Sequence, residues 1–257
     1  MIIGIGIGGD TAKILTSIQK AGRACRVIGY VREGIEVPEG ITARYFPSPE
    51  TALITDLMEG RLDAAVRGTL PSNETLRELR QQTGVSHLER IALLETREGK
   101  KFLLAPVGVD EGWTVEQKCE LIRKGEPIAT AFGLKGGTGV LSGGRRGDLG
   151  RHPVVDRSLA DAELVARLTG ARHYEILIED AIRDCSLLIA PDGISGNLIF
   201  RTLVFLGGGK GHGAPVVNIP KIFVDTSRAS PDYANALMLA VALAKSPKSL
   251  FFRPPQE

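Results

Sequence analysis

The sequence predicts an α/β protein, a largely parallel sheet with helices over both faces. Short apolar runs alternate with amphipathic stretches through residues 1–85, the pattern of strand–helix–strand units. The chain is 43% hydrophobic and 24% charged, an ordinary globular composition with ample material for a core. No uninterrupted apolar run approaches the roughly eighteen residues a membrane helix needs, so no membrane association is expected.

The elements follow in order. "MIIGIGI" reads as a strand, "TAKILTSIQKAG" as a helix closed by Gly22, and "CRVIGYV" as a second strand. "SPETALITDLMEG" has Ser48 as N-cap and Gly60 as stop. "LDAAVRG" is a third strand, and "PSNETLRELRQQTG" a helix capped by Ser72 or Asn73 and ended by Gly84. "HLERIALLETREGKKFLLAPVG" predicts a hairpin turning at Glu98–Gly99, and "TVEQKCELIRKG" an amphipathic helix. "TGVLSGG" is a strand, "RRGDLGRHPVVDRS" a loop and "LADAELVARLTG" a helix. "YEILIEDAI" and "CSLLIAPD" read as β-rich runs with a short helical segment between them. "APVVNI" and "KIFVDTSR" are expected strands, "PDYANALMLAVALAKS" the final helix, and "RPPQE" a frayed tail.

Composition narrows the function. A net charge of +2 gives no basic field for nucleic acid. Cys25, Cys119 and Cys185 are odd in number and far apart, which excludes a disulfide framework and suits a reducing compartment. Met1 leads into "IIGIGIGG" without a signal-peptide pattern, so a cytoplasmic protein is expected. The four histidines share no metal-ligand spacing with each other or with the cysteines, and no metal is expected.

Four glycine-rich or charged segments are candidates for chemistry. Gly4, Gly6 and Gly9 match GxGxxG, which suits a pyrophosphate or S-adenosylmethionine, or merely a tight strand-to-helix turn. The acidic residue that a ribose would need is poorly placed, because Glu33 follows Arg32. "LGGGKGHG" is not a P-loop, since Gly211 stands where Ser or Thr is required. "LSGGRRGDLGRH" puts Ser142, Arg145 and Arg146 in one loop, suited to a phosphate or carboxylate or else a solvated basic loop. In "VDTSRASPDY", Ser227, Arg228 and Asp232 bring a hydroxyl, a cation and a carboxylate to the end of a strand, where open α/β sheets bind ligands.

These residues also carry a resemblance. "LLIAPDGISGNLIFRTLVFLGGG…GAPVVNI…VDTSR" resembles the C-terminal half of phosphate acetyltransferases and phosphate butyryltransferases. Pro191–Asp192, Gly196–Asn197, Gly207–Gly209 and Asp225–Thr226–Ser227–Arg228 match that family's motifs. "DAAVRGTLPSNETLREL" resembles its N-terminal segment, with Ser72 and Arg77 at the hydroxyl and arginine positions. Within the superfamily the chain is most similar to the methanogenesis marker protein four (MtxX) group, found in methanogenic archaea and linked to methyltransferase subunits.

The resemblance implies a two-domain architecture shared with isocitrate and isopropylmalate dehydrogenases. Residues 1–85 with 218–257 would form the first domain and 86–217 the second, with an active cleft between them. The glycine-rich breaks after residues 190 and 206 would face that cleft and hold a ligand and the dimer or domain contacts. A coenzyme A thiol would attack an acyl phosphate, with Asp232 as base, Arg228 and Arg77 as anion clamps and Ser227 as oxyanion donor. Asp192, Asn197 and Asp225 would join the binding set, with Arg67 standing in for a second N-terminal arginine that has no motif match. The Ser227–Asp232 spacing is shorter than the family's, which weighs against acyl transfer. Three readings follow: a transferase of a phosphate-bearing or coenzyme A-like substrate, a methyltransferase or its accessory subunit, and a non-catalytic binder of a metabolite or partner. The cofactor is left open, with a coenzyme A ester a candidate ahead of S-adenosylmethionine, and a homodimer, with methyltransferase partner subunits, is the expected assembly.

Overall fold

A computed structural model describes residues 1–247, so the tail "RPPQE" lies outside the described residues. The fold is α/β, and the chain divides into two compact units, Met1–Leu88 with His212–Glu257, and Glu89–Gly211.

In the first unit the alternation read from sequence becomes β1 (Ile2–Ile7), α1 (Thr11–Ala21), β2 (Arg26–Arg32), β3 (Ala43–Phe46), α2 (Pro49–Met58), β4 (Ala64–Val66) and α3 (Ser72–Thr83). The chain returns to this unit for β11 (Ala214–Pro215), β12 (Phe223–Asp225) and α8 (Ala234–Lys245). The sheet order is β11-β12-β4-β1-β2-β3, parallel except for β11. β1 and β2 are buried on both faces, hence their continuous apolar runs. Strand order reverses at β1: β2 and β3 lie to one side, β4 and β12 to the other. Gly68, at φ 62, sits at this junction, where a Cβ would come within 2.2 Å of the Gly6 carbonyl oxygen. Beneath the sheet, Tyr30 stacks on Phe46 with ring centroids 5.4 Å apart and donates its hydroxyl to Asp56.

The second unit holds β5 (Ala92–Glu95), β6 (Lys101–Ala105), α4 (Val115–Ala131), β7 (Gly137–Val140), α5 (Pro153–Thr169), β8 (Arg172–His173), α6 (Ile178–Asp184), β9 (Cys185–Ile189), α7 (Gly193–Phe205) and β10 (Lys210–Gly211). Its order is β10-β5-β6-β9-β7-β8. The β5–β6 hairpin turns through Gly99, at φ 88, where the sequence placed it.

Several expected boundaries are corrected. α4 continues through Gly125 to Ala131, because that glycine makes room for Leu187 of β9 rather than ending the helix. α5 starts at Pro153, inside the expected loop, with His152 Nδ1 accepting from the Val154 amide. "YEILIEDAI" is not a strand: Glu175 takes φ 57, and the chain then forms α6. β3 is a short edge strand with no counterpart in the expected elements. "APVVNI" and "KIFVDTSR" pair only over β11 and β12. Ser48 and Ser72 cap nothing with their side chains: α2 has no side-chain cap bond, and α3 starts at Ser72 with Pro71 before it.

Candidate functional site

The C-terminal ends of β1, β4 and β12 meet at the reversal point of the first sheet, where α/β sheets bind ligands. Three turns build this edge. After β1 come Gly8, Gly9 and Asp10, and Asp10 adopts φ 48 while its carboxylate accepts from the Lys13 amide at 3.3 Å. After β4, Thr69 Oγ1 accepts from the Gly8 amide and donates to the Gly9 carbonyl, joining the first two turns. After β12 come Thr226, Ser227 and Arg228.

Arg67 and Asp225 form the floor of this edge. Both are buried, and Arg67 Nε lies 2.5 Å from Asp225 Oδ1. Arg67 also donates to the Leu70 carbonyl at 2.7 Å and to the Thr226 carbonyl. A buried ion pair with each guanidinium nitrogen engaged fixes the ends of β4 and β12 against each other, and removing one partner would strand a charge. Asp225 and Arg67 thus hold the edge together, and the expected role of each as a ligand contact has no free group behind it.

Ser227 and Arg228 stand differently. Ser227 Oγ accepts from the Ala229 amide at 3.3 Å, which leaves the hydroxyl proton without an acceptor among the described residues. Arg228 is exposed, and its guanidinium has no ion-pair partner among the described residues. Its carbonyl takes the Lys13 ammonium at 2.8 Å. Asp232 faces elsewhere: Oδ2 is 2.5 Å from Lys20 Nζ, and Oδ1 accepts from the Ala234 amide at 3.0 Å. Partial burial works against its ionisation, but the hydrogen bond from Lys20 and the Ala234 amide outweigh it and hold the carboxyl below its ordinary value. Such a carboxylate is a weak proton acceptor, so the short spacing places Asp232 in a salt bridge. Ser72 begins α3 at the same sheet edge, and Arg77 is exposed on that helix without a partner among the described residues.

The remaining candidates belong to the second unit, where most are engaged internally. Asp192 caps α7, accepting from Ser195 N at 2.8 Å and Ser195 Oγ at 3.1 Å. Asn197 donates to the Val107 carbonyl at 3.0 Å. A Cβ on Gly193 would lie 1.5 Å from the Gly108 oxygen, and one on Gly196 1.9 Å from the Pro106 oxygen. The PDG…GN motif therefore clamps α7 to the loop after β6. The "GGGK" run has a similar purpose, because Gly209 lies against the Glu95 carbonyl and Lys210 pairs with Glu95 at 2.9 Å.

Ser142 is buried, donates to the Gly144 carbonyl at 3.0 Å and lies 2.9 Å from His173 Nε2, whose Nδ1 is 3.2 Å from Glu163. Arg146 pairs with Glu163 and Glu175, while Arg145 is exposed and its guanidinium has no ion pair among the described residues. Gly4 and Gly6 lie inside β1 and make room for Leu53, Leu62 and Leu70, so they do not form a phosphate-binding turn. The described residues contain no cluster of three or more potential metal ligands. Among them no helix is long and apolar enough to cross a membrane.

No family profile matches the chain. It is 44% identical to "Putative methyltransferase mtx subunit X" of Methanosarcina barkeri, over 94% of this chain and 93% of that protein. It is 40% identical to an uncharacterized methyltransferase of Methanopyrus kandleri, over 95% and 99% of the two chains. Among solved structures, a branched-chain phosphotransacylase from Enterococcus faecalis superposes with a TM-score of 0.73 at 18% identity, covering 95% of this chain and 99% of that one. Isocitrate dehydrogenase from Methylococcus capsulatus superposes at 0.55 and 11% identity, covering 95% and 84%. Both structural likenesses establish the fold alone.

Proposed function

From the premise that this chain belongs to the mtx subunit X family, on the phosphotransacylase fold, we propose that it is a transferase whose substrate carries a phosphate or coenzyme A-like group. The observation that carries the reading is the pair Ser227–Arg228. A hydroxyl with its proton free and an unpaired guanidinium stand together where three parallel strands end. Guanidinium and hydroxyl donors favour an acceptor-only anion, and phosphate is the anion that best uses the planar fork of arginine. Ser72 and Arg77 extend the donor set along α3.

The chemistry that these residues support is binding, orientation and charge neutralisation. In transfer from an acyl phosphate to a thiol, Arg228 would neutralise phosphate oxygens, and Ser227 would donate to the oxygen on which charge develops. Asp232 is a poor base in its salt bridge, so the thiol's proton needs another acceptor or leaves to water before attack.

A second reading is methyl transfer, or membership of a methyltransferase assembly with partner subunits, and the names of the relatives favour it. The placement of Gly4 and Gly6 inside β1 argues against S-adenosylmethionine at those glycines. Part of the proposal is that the protein is cytoplasmic and acts as a homodimer, for which the apolar face of α7 is the available surface.

Calorimetric titration with acetyl-coenzyme A, and in parallel with S-adenosylmethionine, tests the reading. Saturable binding of the ester, weakened at least about tenfold in Arg228→Ala, is the expected result. Binding of S-adenosylmethionine alone would move the assignment to methyl transfer. Binding of neither would leave the fold without the activity.

A further inference from the structure

Tyr233 is 1% exposed, and its hydroxyl has no hydrogen-bond partner among the described residues. The rest of the residue is well held. Its amide donates to Ser17 Oγ at 2.8 Å, and the Lys13 ammonium lies 4.7 Å above the centre of its ring. A phenylalanine would offer the same ring without the penalty of an unpaired buried hydroxyl. The oxygen therefore needs an explanation other than packing.

Its location supplies one. The ring lies at the edge where β1, β4 and β12 end, within electrostatic reach of Arg67, Asp10, Arg228 and Asp225. Burial is the main reason that its ionisation is pushed up to about 12, so it remains a donor at neutral pH. Above the ring, Lys13 reaches across to the Arg228 carbonyl at 2.8 Å. That contact joins α1 to the turn after β12 and holds the ammonium over the Tyr233 ring. Lys13 is held there by a neutral carbonyl, a weaker acceptor for an ammonium than a phosphate oxygen is.

We propose that the Tyr233 hydroxyl is a ligand-binding donor kept beneath a strap made by Lys13 and the Arg228 carbonyl, and that its ligand is the phosphate group of the substrate. An incoming phosphate draws Lys13 off the carbonyl, takes the ammonium and the Arg228 guanidinium as counter-charges, and gives the phenol its missing acceptor. No bond is made or broken in this step. The proposal rests on the transferase reading of the same site and adds a residue that the motif comparison does not contain.

The test is Tyr233→Phe, with inorganic phosphate and acetyl phosphate as probes in calorimetry and with thermal unfolding measured beside it. The expected result is a melting temperature unchanged or raised and a phosphate affinity lowered about tenfold. Lys13→Met, which opens the strap and removes its charge, is expected to keep the fold and also to weaken both probes. An unchanged affinity in Tyr233→Phe would overturn the proposal. So would a marked fall in melting temperature, which would mean that the hydroxyl serves the fold. If wild-type protein binds the probes in an Arg228-dependent way while Tyr233→Phe matches it, this proposal alone fails. If wild-type protein binds neither probe nor acetyl-coenzyme A, the transferase reading fails with it.

Discussion

Asp232 shows how a single side chain decides between two chemistries. In sequence it is a carboxylate five residues after Ser227, which suits a base; in the fold Lys20 and the Ala234 amide hold it. Lys20 lies 212 positions away in the chain, and no local pattern could reveal that partner. The same is true of Arg67, whose partner Asp225 is 158 positions distant. The motif residues were legible; which of them remain free for a ligand was not, because freedom depends on long-range pairs. The Lys20–Asp232 pair makes a testable difference. Its carboxyl is held below the ordinary value in the folded state, so the stabilisation is present above the unfolded value of about 3.9 and is lost as pH falls through the folded one. Asp232→Asn should therefore lower stability by about 1 kcal/mol at pH 7, less at high salt because Lys20 is largely exposed. The gap should narrow as the pH is lowered below the unfolded value. Urea midpoints of both proteins across that range would check it, and a gap independent of pH would count against the salt bridge as its source.

Among the elements, α7 and the loop after β6 explain why a buried strand ends in so many turn formers. Asp192 caps the helix, and Gly193 and Gly196 let its first turn lie directly on the carbonyls of Gly108 and Pro106. A motif that resembles a binding signature is, in this unit, a close backbone contact. Gly196→Ala forces a methyl against the Pro106 carbonyl, where backbone cannot yield, and should cost about 3 kcal/mol. Gly147→Ala is the control, since its Cβ would meet nothing within 4 Å, and it should change stability by less than about 0.5 kcal/mol. Chemical denaturation of the two variants against wild type separates them, and equal losses would refute the close-contact account. At this scale the helices and strands of residues 1–85, apart from the short edge strand β3, were legible because each carries its own period and stop signal. Residues 174–182 misled because alternating Tyr174, Ile176 and Ile178 mimic a strand, while the turn at Glu175 is held by long-range bonds to Ser142 and Arg146.

For the whole molecule, local periodicity could not say which strands share a sheet. The return of β12 to the first sheet is a long-range fact that the sequence carried only as family resemblance, and that resemblance left β11 in the other unit. The assembly is a further step of the same kind. α7 is rich in apolar residues, yet its buried positions are only Gly193 and Gly196. Ile194 is 48% exposed, Leu198 60% and, just past the helix, Leu206 84%. Trp113 and Val109, in the loop that α7 packs on, are also more than half exposed. Phe200, Leu203 and Val204 are half-buried against Gly209 and Gly211, and isolated exposed apolar residues are ordinary, but Ile194, Leu198 and Leu206 lie together on the face that this packing leaves uncovered. A second copy laying the same face against this one would bury it symmetrically, as closed homodimers do. A stable interface of that kind covers about 1,600 Å² in total, and its central apolar positions matter most. Leu198→Glu puts a charge at such a position without touching the core of its own chain. Sedimentation velocity should show wild-type protein as a dimer and Leu198→Glu as a folded monomer, with circular dichroism unchanged. A wild-type monomer at tens of micromolar would refute the dimer and leave the face to a partner subunit, whereas a Leu198→Glu dimer would move the interface off α7.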